Sequence, residues 1–224
     1  MLKKALCTRR VRLSLAAAMA VNVAVYYAGR LLSAGMVHRS LETELDRAIP
    51  LLPWMILFYW GGFLFWFVNY ALGIHLERGG RGRFLTAHIL GECVCFLFFV
   101  LLPTTMPRPE VSGRGLGALA LRLTFRLDEP DNLFPSIHCF ASWLCWIAVR
   151  GDKRVPLWYR VFSPVMTLAV CVSTLTVKQH VAADAAAGIL LAELSYLLSG
   201  AVLRLRRKPS AGETAETRAE EKVG

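Results

Sequence analysis

Along the chain, long apolar runs alternate with short polar segments. Apolar character holds from Leu13 through Val37 with a break at Arg30, from Leu51 to Ile74, from Phe84 to Leu102, from His138 to Val149, from Val161 to Val177 and from Val181 to Leu203. A hydrocarbon core needs about 20 apolar residues to be crossed as a helix, and a helix alone satisfies its own backbone hydrogen bonds there. The pattern therefore predicts an all-α, polytopic protein with six transmembrane helices in a bundle. Between the third and fourth runs, Ala118 to Leu127 carries Arg122 and Arg126 among apolar residues and reads as an amphipathic helix lying on the membrane surface. Residues 1–209 form the membrane domain; residues 210–224, rich in Glu, Ala and Thr without apolar periodicity, read as a disordered cytoplasmic tail.

Composition agrees, with 55% hydrophobic side chains in 224 residues and a mean hydropathy of +0.46. The net charge of +10 raises the question of nucleic acid, but Lys and Arg cluster in the connections and form no basic stripe with interleaved aromatics. Their distribution orients the chain. Five lie in residues 1–12, three in 75–83, four in 150–160 and four in 204–208. The alternate connections, 38–50, 103–133 and the turn at Lys178, hold two, four and one, the first two offset by acids. Lys and Arg flanking spans stay cytoplasmic, so both termini are expected inside a cell membrane. The basic start followed by small residues also suits a signal peptide, but the length of the run favours an uncleaved anchor. Six cysteines fall mostly inside apolar runs and read as small buried residues, with no metal site or other cofactor implied.

The candidate chemistry sits where spans meet. In Ser173-Thr-Leu-Thr-Val-Lys-Gln-His-Val-Ala-Ala-Asp184, His180 and Asp184 stand four residues apart, on one face if the segment is helical, so that the carboxylate can lie beside the imidazole. A carboxylate at the mouth of the apolar run that follows is costly unless paired or wetted. It reads either as a functional group or as a span-end cap. Upstream, Phe134-Pro135-Ser136-Ile137-His138 is a second polar cluster opening an apolar run. In the third run His88 and Glu92 are also paired by spacing, and are expected to make an interhelical contact with no part in catalysis.

Pro135-Ser136-x-His138, followed about forty residues on by Ser173, six residues, His180, three residues and Asp184, resembles the signature of the type 2 phosphatidic acid phosphatase superfamily of membrane lipid phosphatases and phosphotransferases. That family's third signature, Lys, six residues, Arg-Pro, is matched at its end by Arg108-Pro109. The resemblance spans roughly residues 51 to 203 and implies a metal-independent enzyme acting on a lipid phosphate, either a monoester or an isoprenoid diphosphate. It implies His180 as nucleophile forming a phosphohistidine, Asp184 fixing its tautomer, and His138 as the general acid. Phosphate would be bound by Arg108, Ser136 and Ser173, with backbone N–H groups at the start of the fourth span.

Two positions depart from the family pattern. Leu101 stands where a Lys is expected and Thr174 where an Arg is expected. Lys178 is the expected compensating cation. These substitutions keep a headgroup phosphotransferase of the inositol phosphorylceramide or sphingomyelin synthase kind open as an alternative, and likewise an inactive binding protein. The expected partners are the lipid phosphate and the surrounding membrane lipids. A small transporter fits less well, because the polar groups lie at span ends and not at midplane.

Overall fold

The computed structural model describes residues 2–76 and 82–206; the expected tail at 210–224 lies outside them. The described chain is helical apart from one pair of two-residue strands. In order it runs α1 (Leu2–Cys7), α2 (Arg9–Ser33), β1 (Arg39–Ser40), α3 (Glu44–Ala48), a 3₁₀ turn (Pro53–Met55), α4 (Ile56–Leu76), α5 (Arg83–Leu101), β2 (Thr104–Thr105), α6 (Leu116–Leu127), α7 (Ile137–Val149), α8 (Leu157–Thr176) and α9 (Ala182–Arg206).

Among the described residues, five helical stretches are long and apolar enough to cross a membrane: Arg9–Ser33, Pro53–Leu76, Arg83–Leu101, Leu157–Thr176 and Ala182–Leu205. The expected sixth differs. α7 has 13 residues, about 20 Å at 1.5 Å per residue, against a hydrocarbon thickness of about 30 Å. The reason is its position. α7 packs against α4, α5, α8 and α9, and Cys139, Phe140, Leu144, Cys145 and Val149 are fully buried. A helix surrounded by other helices has no lipid thickness of its own to match. α8 instead presents Leu157, Val161, Val165, Leu168 and Val172 as one exposed apolar stripe at steps of three and four residues. Such a surface suits lipid and is costly in water.

Two glycines let helices approach α7. A Cβ at Gly188 of α9 would stand 2.4 Å from the Ser136 carbonyl oxygen, and one at Gly91 of α5 would stand 2.1 Å from the Phe140 ring. Nearby, His88 contacts Tyr70 (Nδ1 to the phenol oxygen, 2.9 Å) and the Ala18 carbonyl (Nε2, 3.1 Å), while Asn22 donates to Glu92 at 2.8 Å. This buried network ties α2, α4 and α5 together, as the spacing of His88 and Glu92 suggested.

The connections at one end of the helices are knitted into a cap. β1 and β2 pair in parallel, Arg39 opposite Thr104, and Arg39 N–H donates to the Pro103 carbonyl. Met106, Leu133 and Val181, from three separate segments, form a small apolar cluster with Leu41 against it. α6 is the expected amphipathic helix. It buries Ala118, Leu121 and Thr124 on one stripe, packs on the 3₁₀ turn, and leaves Leu116, Leu119, Leu123 and Leu127 exposed.

Candidate functional site

The C-terminus of α8, the start of α9 and the start of α7 meet beneath this cap. α8 ends at Thr176, and Lys178 takes the left-handed conformation (φ 55°) that reverses the chain. The Thr174 carbonyl then accepts from both Gln179 N–H (2.9 Å) and His180 N–H (3.1 Å), closing the turn. Asp184 lies in the first turn of α9, and its Oδ2 accepts from Val181 N–H at 3.0 Å, half of a capping box. Val181 has no side-chain acceptor to supply the other half. Asp46 provides one: its Oδ1 accepts from Ala182 N–H at 2.7 Å.

Asp46 holds more than that. Its Oδ2 accepts from Thr43 N–H (2.8 Å) and Thr43 Oγ1 (2.6 Å), and its carbonyl accepts from Lys178 Nζ at 2.7 Å. The loop before α4 thus grips the chain on both sides of His180. Burial works against the Asp46 carboxylate, but the Thr43 hydroxyl, the Ala182 and Thr43 N–H groups and the Lys178 charge outweigh it and hold its pKa below the ordinary range.

His180 and Asp184 are brought together as the spacing suggested. Nδ1 lies 3.4 Å from Oδ2, the imidazole is 7% exposed and the carboxylate 1%. Burial alone would lower the His180 pKa, but contact with Asp184 and its charge prevail and raise it above the ordinary value. The Ser136 N–H donates to the Asp184 carbonyl at 3.0 Å, which joins the two polar clusters directly. His138, two residues into α7, then has its ring centre 5.7 Å from that of His180. It stacks on Tyr59 at 4.4 Å, with Trp66 at 5.2 Å and Phe63 at 5.9 Å, and its Nε2 is buried without a hydrogen-bond partner.

The expected phosphate-binding residues are disposed differently. Ser136 Oγ accepts from Cys139 N–H and caps α7, and Ser173 Oγ donates to the Val170 carbonyl inside α8. Arg108 donates through Nη1 to the carbonyls of Asp128 and Phe125 and through Nη2 to Gln179 Oε1 (2.5 Å), with its guanidinium 4.7 Å over the Phe125 ring. Lys178 is the clear departure: its ammonium is bound to the Asp46 carbonyl and does not line the cavity on which both histidines open. Among the described residues, no three His, Cys, Asp or Glu side chains are grouped to hold a metal ion.

That cavity has a volume of about 410 Å³ and is lined by residues of α2, α4 and α6, with His138, Gln179 and His180 also in its wall. Tyr59, Gln179, Asp46 and Asp128 are site residues that the linear pattern did not single out. Thr43-x-x-Asp46 is legible as a capping box, but nothing local shows that the same carboxylate reaches Ala182. Tyr59 sits in an aromatic-dense span where packing and lipid contact account for such residues.

No family model matches the chain, and no solved structure matches it. The likeness to the lipid phosphatase superfamily therefore rests on the motif residues alone.

Proposed function

We propose that the chain is an integral membrane enzyme that transfers the phosphoryl group of a lipid phosphoester through a phosphohistidine on His180. The observation that supports this most directly is the convergence of His138 and His180, 5.7 Å apart in the wall of a cavity, with Asp184 3.4 Å behind His180. With Asp184 against Nδ1, the lone pair of Nε2 is the one available to attack phosphorus. His138 protonates the leaving oxygen and later takes the proton of the water or alcohol that frees His180. The N–H groups at the start of α7 receive the phosphoryl oxygens. The six-span arrangement, cytoplasmic termini and an outward-facing site belong to the same proposal, α7 being the short inner crossing.

The test is a phosphoenzyme. Purified protein incubated with lipids labelled at the phosphate is expected to acquire acid-labile, base-stable label, to be inhibited by vanadate and to work in chelator. His180→Ala should abolish the label; label that persists in His180→Ala overturns the assignment. A second reading, a binding protein with the same fold, is favoured by the engagement of Arg108 and Lys178 with protein acceptors. Turnover on any lipid phosphate, lost in His180→Ala, decides against it.

A further inference from the structure

The cavity has a composition unlike that of a pocket for a multiply charged phosphate. Its walls include six aromatic side chains, Tyr26, Tyr27, Tyr59, Trp60, Phe63 and Trp66. Apart from the two histidines, its ionisable lining groups are these tyrosines and two acids, Asp128 and Asp131, and no Lys or Arg lines it among the described residues. The nearby cations are engaged elsewhere: Arg108 on the carbonyls of Phe125 and Asp128 and on Gln179, Lys178 on the Asp46 carbonyl, and Arg30 on Glu129 and Asp131.

Besides His138 Nε2 and His180 Nδ1, three buried polar atoms of its lining residues lack partners. Asn132 is 5% exposed and Gln179 2%, yet Asn132 Oδ1, Asp131 Oδ1 and Gln179 Nε2 have no hydrogen bond. Asn132 Nδ2 donates to the Tyr26 carbonyl at 3.1 Å, which leaves its Oδ1 as an unsatisfied acceptor beside the cavity. Buried polar groups are normally satisfied; of these three, Asn132 Oδ1 and Asp131 Oδ1 are acceptors and Gln179 Nε2 is a donor. Aromatic faces and the Asp128 carboxylate attract a cation, Asp131 being paired with Arg30 at 2.9 Å, and an ammonium over aromatic rings is held by their quadrupoles. A dianionic monoester or a diphosphate meets the opposite: the Asp128 carboxylate and, among the described residues, no Lys or Arg in the lining.

We propose that this cavity takes an ammonium-bearing headgroup, so that the phosphate delivered to His180 belongs to a zwitterionic phosphodiester and not to a phosphate monoester or diphosphate. This rests on the phosphohistidine reading for its chemistry and deepens it. His180 Nε2 forms a bond to phosphorus while the bond from phosphorus to the lipid oxygen breaks, and protonated His138 gives its proton to that oxygen. The headgroup phosphate remains on His180 with its ammonium in the aromatic chamber. Water or an acceptor alcohol then attacks phosphorus, its proton goes to His138, and the phosphorus–nitrogen bond breaks.

Two measurements separate the headgroup assignment from the chemistry. In the first, soluble phosphocholine, phosphoethanolamine and glycerol 3-phosphate are titrated calorimetrically into detergent-solubilised full-chain His180→Ala protein. The ammonium compounds are expected to bind at least tenfold more tightly than glycerol 3-phosphate, with phosphocholine ahead if the aromatic faces dominate and phosphoethanolamine ahead if the free acceptors do. Equal or tighter binding of glycerol 3-phosphate overturns the proposal. Trp60→Leu should weaken phosphocholine about 2- to 30-fold and leave glycerol 3-phosphate unchanged, while Trp60→Tyr retains most of the affinity; loss of both ligands together, or of neither, counts against it.

In the second, native protein is given vesicles of phosphatidylcholine, phosphatidylethanolamine, phosphatidylglycerol or phosphatidate. Diacylglycerol is expected from the first two, faster than from the others and absent with His180→Ala. Faster turnover of phosphatidate overturns the headgroup assignment. Ammonium-selective binding with no turnover of any lipid leaves the headgroup assignment standing and removes the phosphohistidine reading.

Discussion

In the proposed mechanism the chemistry turns on His180, whose surroundings impose opposite demands. Burial favours the neutral ring that a nucleophile requires, whereas Asp184 favours the imidazolium, and Asp184 prevails. A group whose pKa is raised stays protonated to higher pH, so the active form of His180 is lost as pH falls through that raised value. The acid limb of kcat/KM is therefore expected above pH 6.5, the ordinary histidine value. Asp184→Asn removes the charge, so the limb should move to lower pH even as turnover falls about 10²- to 10⁴-fold, the range a triad carboxylate contributes. A limb that stays in place in Asp184→Asn would show that the carboxylate does not act on His180. Lys178, close by in sequence, carries a different burden. It turns the chain in the left-handed region and anchors that turn to Asp46, a structural duty that removes its charge from the phosphate.

Among the elements, α7 and α9 set the geometry of the site, and Gly188 is where they cross. In a helix interior, Gly to Ala normally gains about 1 kcal/mol. At this crossing the new methyl would stand 2.4 Å from the Ser136 carbonyl, 3.1 Å from Cys139 Cβ and 3.1 Å from Phe140 N. Two of these atoms are backbone and cannot swing away, so the helices must separate. Gly188→Ala is expected to lower the thermal midpoint in detergent and to reduce turnover at least tenfold, because the shift lands on the residue beside His138. A variant as stable and active as the parent would mean that the crossing does not position the site. Gly200, whose Cβ would meet nothing closer than 3.6 Å from the Arg83 guanidinium, serves as the control for the same substitution.

At the scale of the molecule, the cap gathers β1, α3, β2, α6 and the His180 turn at one end, while Arg150 and Arg154 lie at the other, on Glu193 and on the Leu76 carbonyl. In the proposed topology, which rests on the charge distribution, the first end faces outside and the second the cytoplasm. A reporter fused after Lys208 should be cytoplasmic, and a tag inserted near Gly113, an exposed position between β2 and α6, should be reached from outside. Labelling of both from the same side would remove the shared outer site.

What the chain's order alone determined follows from short-range rules. Apolar runs long enough to cross lipid must be helical there, because no other single segment satisfies its backbone, and five of the six expected runs are helices of that length. The amphipathic stretch became α6 and the i,i+4 relation put His180 beside Asp184, since both depend only on helical periodicity. The shortness of α7 was legible in the run from His138 to Val149, but its reason was not, because burial among four other helices frees it from matching the lipid and no residue within it records those neighbours. Nor was the partner of Lys178 or the second cap on α9. Both depend on Asp46, brought from 136 residues away to Ala182 by the packing of loops. Tyr59 and Trp66 likewise look like any span aromatics until the fold stacks them around His138. The sequence carried the candidate reacting groups; the tertiary structure decided which side chains line the cavity, because hydrogen bonds between distant segments hold Arg108 and Lys178 outside its lining and leave that lining aromatic and acidic.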